Sequence, residues 1–152
     1  MRHAHQIVIN FSAVFLLCLS LATPSNAQNE AFEAADQVPA SIHSAMSGGY
    51  WTAGKDEGFF RVVVVAGGVE HVWHRLYIQW LRSDAKTQGY ELVRTVNVQE
   101  LNLGQGYLLE VKTSFGNFNS FKIEVTAKSL RVKTKRFAIT AKGDGKYVIR
   151  SR

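Results

Sequence analysis

Between Tyr50 and Arg152 no stretch keeps a helical apolar repeat long enough to carry the chain across a sheet. Parallel neighbours need such a crossover of a dozen or more residues, whereas antiparallel neighbours need only a turn. The segment is therefore expected to be all-β and antiparallel. Phe59–Val65 is β-branched and aromatic, and Ala66-Gly67-Gly68 turns it. Val69–Arg82 is apolar on both parities, with Val72, Leu76, Ile78 and Trp80 on one face and Trp73, Tyr77 and Leu81 on the other. That pattern belongs to a central or strongly curved strand. Tyr90–Gln99, Tyr107–Thr113, Phe121–Thr126, Leu130–Lys135 and Tyr147–Arg150 continue the series, with Lys142-Gly143-Asp144-Gly145-Lys146 as a hairpin turn. A phase shift near Lys135-Arg136 suggests a bulge. The expectation is a meander of about seven strands, a sandwich or, slightly favoured, a small barrel whose closure removes the edge strands.

Residues 1–27 read as a cleaved signal peptide. Arg2 supplies a basic start and Ile7–Ala22 an apolar run of about 16 residues, short of the roughly 20 that span a bilayer. Ser25-Asn26-Ala27 places small residues before a cut at Gln28. No second apolar run follows, so no transmembrane segment is expected in the mature chain. The protein is expected to be periplasmic or secreted. Cys18 is the only cysteine and lies in that leader, so the 125 residues that follow must hold together by packing without disulfides. Residues 28–49 read as an N-terminal arm or short helix. Pro39 suits a first turn, Ile42, Ala45 and Met46 share one helical face, and Gly48-Gly49 ends it. Residues 50–152 form the β-domain.

The charge is uneven. Residues 128–152 hold nine bases and one acid, while residues 28–127 hold eight bases and eleven acids. Arg131, Lys133 and Lys135 share one parity of one run, and Lys146 and Arg150 share one parity of the next. Such a basic face attracts polyanions. In the envelope these are an anionic polysaccharide or lipid, or an acidic protein partner. Nucleic acid has the right charge but belongs to the wrong compartment, and the run lacks interleaved stacking aromatics. The bland alternative is a solvated face whose lysines protect an edge.

Little else carries chemistry. His71 and His74 are an odd spacing apart, which sends them to opposite faces of a strand and spoils a shared metal site. Asp56-Glu57 sits before Gly58 as solvated turn carboxylates, and a glycosidase-like pair there would need converging geometry. No nucleophile motif or phosphate loop appears, so no catalytic residue, metal or cofactor is assigned and an enzyme is the lesser expectation. Trp73 and Trp80, seven apart, must face opposite ways. Core packing is the favoured reading of all three tryptophans; Trp51, beside Tyr50 in a loop-like setting, is the better candidate for an exposed aromatic that anchors a partner.

Ser47-Gly48-Gly49-Tyr50-Trp51-Thr52-Ala53-Gly54-Lys55 resembles the Ser-Gly…Tyr and Tyr-Trp-Thr-Lys-Gly elements of small β-barrel periplasmic lysozyme inhibitors. The nine residues compress two motifs into one and put Ala53 where that family has Lys, so none of its functional residues is carried over. Three functions remain open. The first is a binding protein using Arg131, Lys133, Lys135, Lys146 and Arg150. The second is an inhibitor or assembly factor using Tyr50–Lys55. The third is a hydrolase or lyase acting on envelope polysaccharide.

Overall fold

The computed structural model describes residues 37–84, 86–87, 89–102, 108–128 and 133–152. The expected leader, the Glu30–Asp36 part of the arm, and Arg131 lie outside the described residues. Val38–Arg152 forms one compact unit. It contains β1 (Ile42–Ala53), β2 (Asp56–Gly67), β3 (Trp73–Asp84), β4 (Gly89–Asn97), a single-turn helix α1 (Gln99–Asn102), then β5 (Leu108–Phe115), β6 (Ser120–Lys128), β7 (Lys135–Lys142) and β8 (Tyr147–Ser151). All pairings are antiparallel between chain neighbours, giving one sheet β1-β2-β3-β4 and a second β5-β6-β7-β8.

Alternation decides which side of each strand is buried. In the first sheet Phe60, Val62 and Val64 of β2 face inward beside Leu76, Ile78 and Trp80 of β3. The second sheet answers with Phe121, Ile123 and Val125 of β6 and Ile139 and Ala141 of β7. These side chains form one core, in which the Phe60 ring stacks on Phe121 and meets Trp80 edge-on. The two-faced pattern of β3 follows from its central place. Its outer parity carries the buried Leu81, opposite Phe59 and Leu92.

The barrel expectation is corrected to two sheets over a common core. Among the described residues no backbone ladder joins them. One cause is visible at β3. The Asn102 side chain accepts the Leu76 N–H and donates to the Leu76 carbonyl, both at 2.8 Å, and Val98 N–H also reaches that carbonyl at 3.2 Å. The chain leaving β4 thus occupies the polar groups that a continuing strand would use, and β5 starts in the other sheet. Single side chains tie the sheets instead. Trp80 Nε1 donates to the Lys142 carbonyl at 2.9 Å, and Leu109 N–H donates to His74 Nδ1 at 3.0 Å. The Asn119 side chain accepts from Thr52 N–H at 3.0 Å and donates to the Thr52 carbonyl at 3.1 Å.

The expected helix before Gly49 is also corrected: Ile42–Ala53 is β1, which brings the strand count to eight. The spacing of Ile42, Ala45 and Met46 fits a helix face, but the Val62–Val65 run of β2 offers a full ladder partner, and tertiary pairing outweighs the local pattern. Gly48-Gly49 is not a helix stop. A Cβ on Gly48 would lie 2.9 Å from the Phe121 ring, so the glycine lets the second sheet approach β1. Gly49, at φ +66°, sits where the register shifts between Gly48 and Trp51, as a glycine bulge requires.

Candidate functional site

The outer face of the second sheet is built by parity. Leu109, Val111, Phe121, Ile123, Val125, Phe137, Ile139 and Ile149 take the inward positions, so the residues between them must face outward. The ladder aligns the outward residues into rows. Ser114, Lys122, Thr140 and Val148 lie across the sheet in one row, and Lys112, Glu124, Ala138 and Arg150 in the next. Glu110, Thr126 and Arg136 form a third, extended by Arg152, whose N–H donates to the Arg136 carbonyl at 2.8 Å. Lys142 stands opposite Ser120 at one end and Lys128 opposite Leu108 at the other.

The strand residues on this face include six bases (Lys112, Lys122, Lys128, Arg136, Lys142, Arg150) and two acids (Glu110, Glu124). Both acids are engaged. Lys128 Nζ lies 3.2 Å from Glu110 and holds its carboxyl below the usual range, and the Arg152 guanidinium lies 3.3 Å from Glu124. Lys112, Lys122, Arg136, Lys142 and Arg150 have no carboxylate partner among the described residues. Arg136 and Arg150 are diagonal neighbours, since Arg150 stands opposite Ala138, which puts their stems roughly 7–8 Å apart. The short side chains of Ala138, Thr140, Thr126 and Ser114 leave a low floor between these long cations. Chemically, the surface can accept a chain of anionic groups and has nothing to transfer to it.

The residues singled out from sequence divide around this face. Arg150 is on it. Lys135 opens β7 opposite Ala127, on the inward parity, and Lys133 lies in the connection before it; both are exposed at the sheet end. Lys146 is in the β7–β8 turn, 3.8 Å from Asp144. The phase shift near Lys135-Arg136 is therefore no bulge within a strand. It is the start of β7, and the basic residue brought beside Arg150 is Arg136. Lys112, Lys122 and Lys142 were missed as well. Their signal was available: each is one residue from an apolar position of a clean alternation. Trp51 takes the core reading and not the exposed alternative that made it a binding candidate. It is 2% exposed, and its indole N–H donates to the Phe59 carbonyl at 3.1 Å. Tyr50 is 41% exposed, and its hydroxyl donates to Glu57, which raises the phenol's pKa. Tyr50–Ala53 finish β1, so the turn itself is only Gly54-Lys55.

A second concave region, about 540 Å³, opens at the turn end of the first sheet between Lys55, Asp56, Glu57, Arg82, Asp84 and Glu91. Arg82 bridges Asp56 at 2.9 Å and Glu91 at 2.6 Å, and these contacts, Glu91 first, hold its guanidinium firmly protonated. Lys86 N–H and the Thr87 hydroxyl keep the Asp84 carboxyl below its ordinary range. Asp56 and Glu57 thus have different partners and do not converge. Among the described residues no three His, Cys, Asp or Glu side chains are placed to hold a metal ion. His71 lies in the exposed β2–β3 hairpin loop, while His74 is buried, 8% exposed, and lies against the tilted ring of His43 with ring centres 4.2 Å apart. No helix of the described residues is long and apolar enough to cross a membrane. No family model, curated protein or solved structure matches this chain.

Proposed function

We propose that this chain is an exported, non-enzymatic binding domain that takes an anionic polymer or an acidic partner on the outer face of its second sheet. The observation that carries the reading is the charge pattern of that face. Both of its acids are already paired, and five of its six strand bases face outward without a carboxylate partner among the described residues, over a floor of short side chains. A repeating polyanion can meet several of these cations at once, each contributing modestly at the surface and together giving useful affinity. Export rests on the Met1–Ala27 segment and places the polymer in the envelope or outside the cell. Arg136, Arg150, Lys122, Lys112 and Lys142 are the binding residues, with Lys133, Lys135 and Lys146 adding long-range attraction from the sheet ends.

The test is retention on an immobilised acidic polysaccharide, eluted with rising salt. Arg136→Ser with Arg150→Ser should elute well below the wild type, because screening acts on what few contacts remain. Lys55→Ser with Lys86→Ser, on the first sheet, loses the same two charges and should elute close to the wild type. Equal shifts from the two pairs would reduce the effect to net charge and sink the reading.

A further inference from the structure

The cations of the basic face are ordered as well as numerous. Lys142 stands opposite Ser120, and Lys122 is two residues further along β6. Lys122 stands opposite Ser114, and Lys112 is two residues back along β5. Each step joins diagonal cross-strand neighbours, so Lys142, Lys122 and Lys112 form a file with stems roughly 7–8 Å apart. Arg150, Arg136 and Lys128 form a second file by the same kind of step, past Ala138 and Thr126. Both files slant the same way, moving one strand toward β5 and one row toward the Lys128 end at each step. With strands about 4.8 Å apart and rows about 6.8 Å apart, the files run parallel at a separation of roughly 12 Å.

Between the files lies a strip of shorter side chains, Thr140 and Ala138 of β7 and Thr126 of β6. Glu124 also stands in the strip, engaged by Arg152 at 3.3 Å. Lys128 is bridged to Glu110, whereas the other five cations of the two files have no carboxylate partner among the described residues. The strip is therefore a shallow channel with a cationic bank on each side. A chain that carries its charges along one line meets one bank. A chain with acids on both edges meets both.

The spacing chooses the occupant. In an extended peptide successive side chains leave on opposite sides, and those on one side recur every two residues, about 6.8 Å. That period is close to the step of the files. With its side chains turned to the banks, such a peptide turns its N–H and C=O groups to the floor. There the Thr126 and Thr140 hydroxyls each offer a donor and an acceptor, and Ala138 lets a backbone approach. A uronate chain also has two edges, but a sugar ring is longer than a residue, so its acids on one edge recur beyond the step of the files. We infer that this face takes an extended acidic segment of a partner protein, lying along the channel with consecutive Asp or Glu side chains on alternate banks. The inference rests on the polyanion-binding reading and names the anions as peptide carboxylates.

The experiment titrates the full exported chain with two synthetic peptides of the same composition, six glutamates and five serines. One holds its glutamates in an unbroken run and loads both edges. The other alternates Glu with Ser and loads one edge. The wild type should bind the first about tenfold more tightly, because a second bank adds several exposed ion pairs of modest strength. Lys112→Ser with Lys122→Ser empties one bank, and Arg136→Ser with Arg150→Ser the other. Each pair should weaken the unbroken run about tenfold and the alternating peptide about twofold at most, since a one-edged chain can use the bank that is left. Two peptides bound equally well by the wild type overturn the inference. Equal losses for the two peptides in the variants also overturn it, by reducing binding to charge density. Tighter binding of polygalacturonate than of the unbroken run, at equal charge, overturns it by assigning the channel to polysaccharide. In these three cases the polyanion reading survives. A wild type that binds neither the peptides nor polygalacturonate overturns both.

Discussion

Asn119 joins the two sheets and also occupies a backbone conformation that L-residues avoid, so its two roles can be separated by substitution. Its φ is +66°, and it is the non-glycine residue of positive φ among those described. Its side chain spans both polar groups of Thr52, 67 residues away. Asn119→Gly removes both bonds and keeps the backbone at ease. With each half-buried bond contributing about 1 kcal/mol, and roughly 0.5 kcal/mol more lost to the freer unfolded chain, the expected cost is about 2.5 kcal/mol. Asn119→Ala removes the same bonds and adds about 1–2 kcal/mol of left-handed strain, without the unfolded-state freedom that glycine would have gained, for a total of about 3–4 kcal/mol. Urea unfolding followed by Trp fluorescence reads both, since Trp80 and Trp51 are core residues. In thermal melts the midpoints should fall by about 4 °C per kcal/mol for a domain of this size. The order Asn, Gly, Ala is the signature. Alanine at or above glycine would remove the strain argument, and both variants within about 0.5 kcal/mol of the wild type would show that water replaces the clamp at no cost.

Two further outcomes follow from buried contacts. His74 is held below its ordinary pKa, first by burial and then by the nearby His43, with the Leu109 backbone bond opposing. A base whose folded pKa is depressed contributes stability that is complete above its unfolded pKa of about 6.5 and lost as pH falls below it through the folded value. The melting midpoint should therefore be level above pH 7 and drop as pH falls below about 6.5, and less steeply in His43→Ser; a midpoint that stays level on acidification refutes this assignment. Gly58→Ala should cost at least about 3 kcal/mol, because its Cβ would sit 1.8 Å from the Leu81 carbonyl oxygen. Gly54→Ala, with open space but φ +66°, should cost only about 1–2 kcal/mol, and equal urea midpoints for the two would contradict the packing argument.

Strands whose alternation is enforced by large side chains were legible in the sequence. Phe121–Thr126 and the two-faced run through Trp80 needed only their own residues to be read. β1 was not legible, because its inward positions, Ile42, Ser44, Met46 and Gly48, mix apolar, polar and side-chain-free residues and so do not announce a strand. The missing side chain of Gly48 serves the Phe121 ring in the other sheet. The basic face was half legible. Taking Leu130 as the anchor of phase selected Lys133 and Lys135, whereas the ladder is anchored on Phe137 and Ile139 and selects Arg136. The loop-like setting given to Trp51 was placed too early: a glycine pair before it suggested a loop, but the turn comes only at Gly54. The clamping roles of Asn102 and Asn119 carry no local signal, since the backbone groups they hold lie 26 and 67 residues away.

The order of pairing has a consequence for how the chain folds. Every backbone ladder joins consecutive strands, so each can close across a short loop, and the entropy lost on closing grows only slowly with length. Each sheet is a continuous half of the chain and can zip up hairpin by hairpin from local contacts, the class of contact that forms fastest. The contacts that span long separations are of another kind: Thr52 with Asn119 across 67 residues, and Trp80 with Lys142 across 62. They form only when two finished sheets meet. This topology predicts two hairpin stacks and one docking event, with the meeting of Phe60 and Phe121 as the expected slow step.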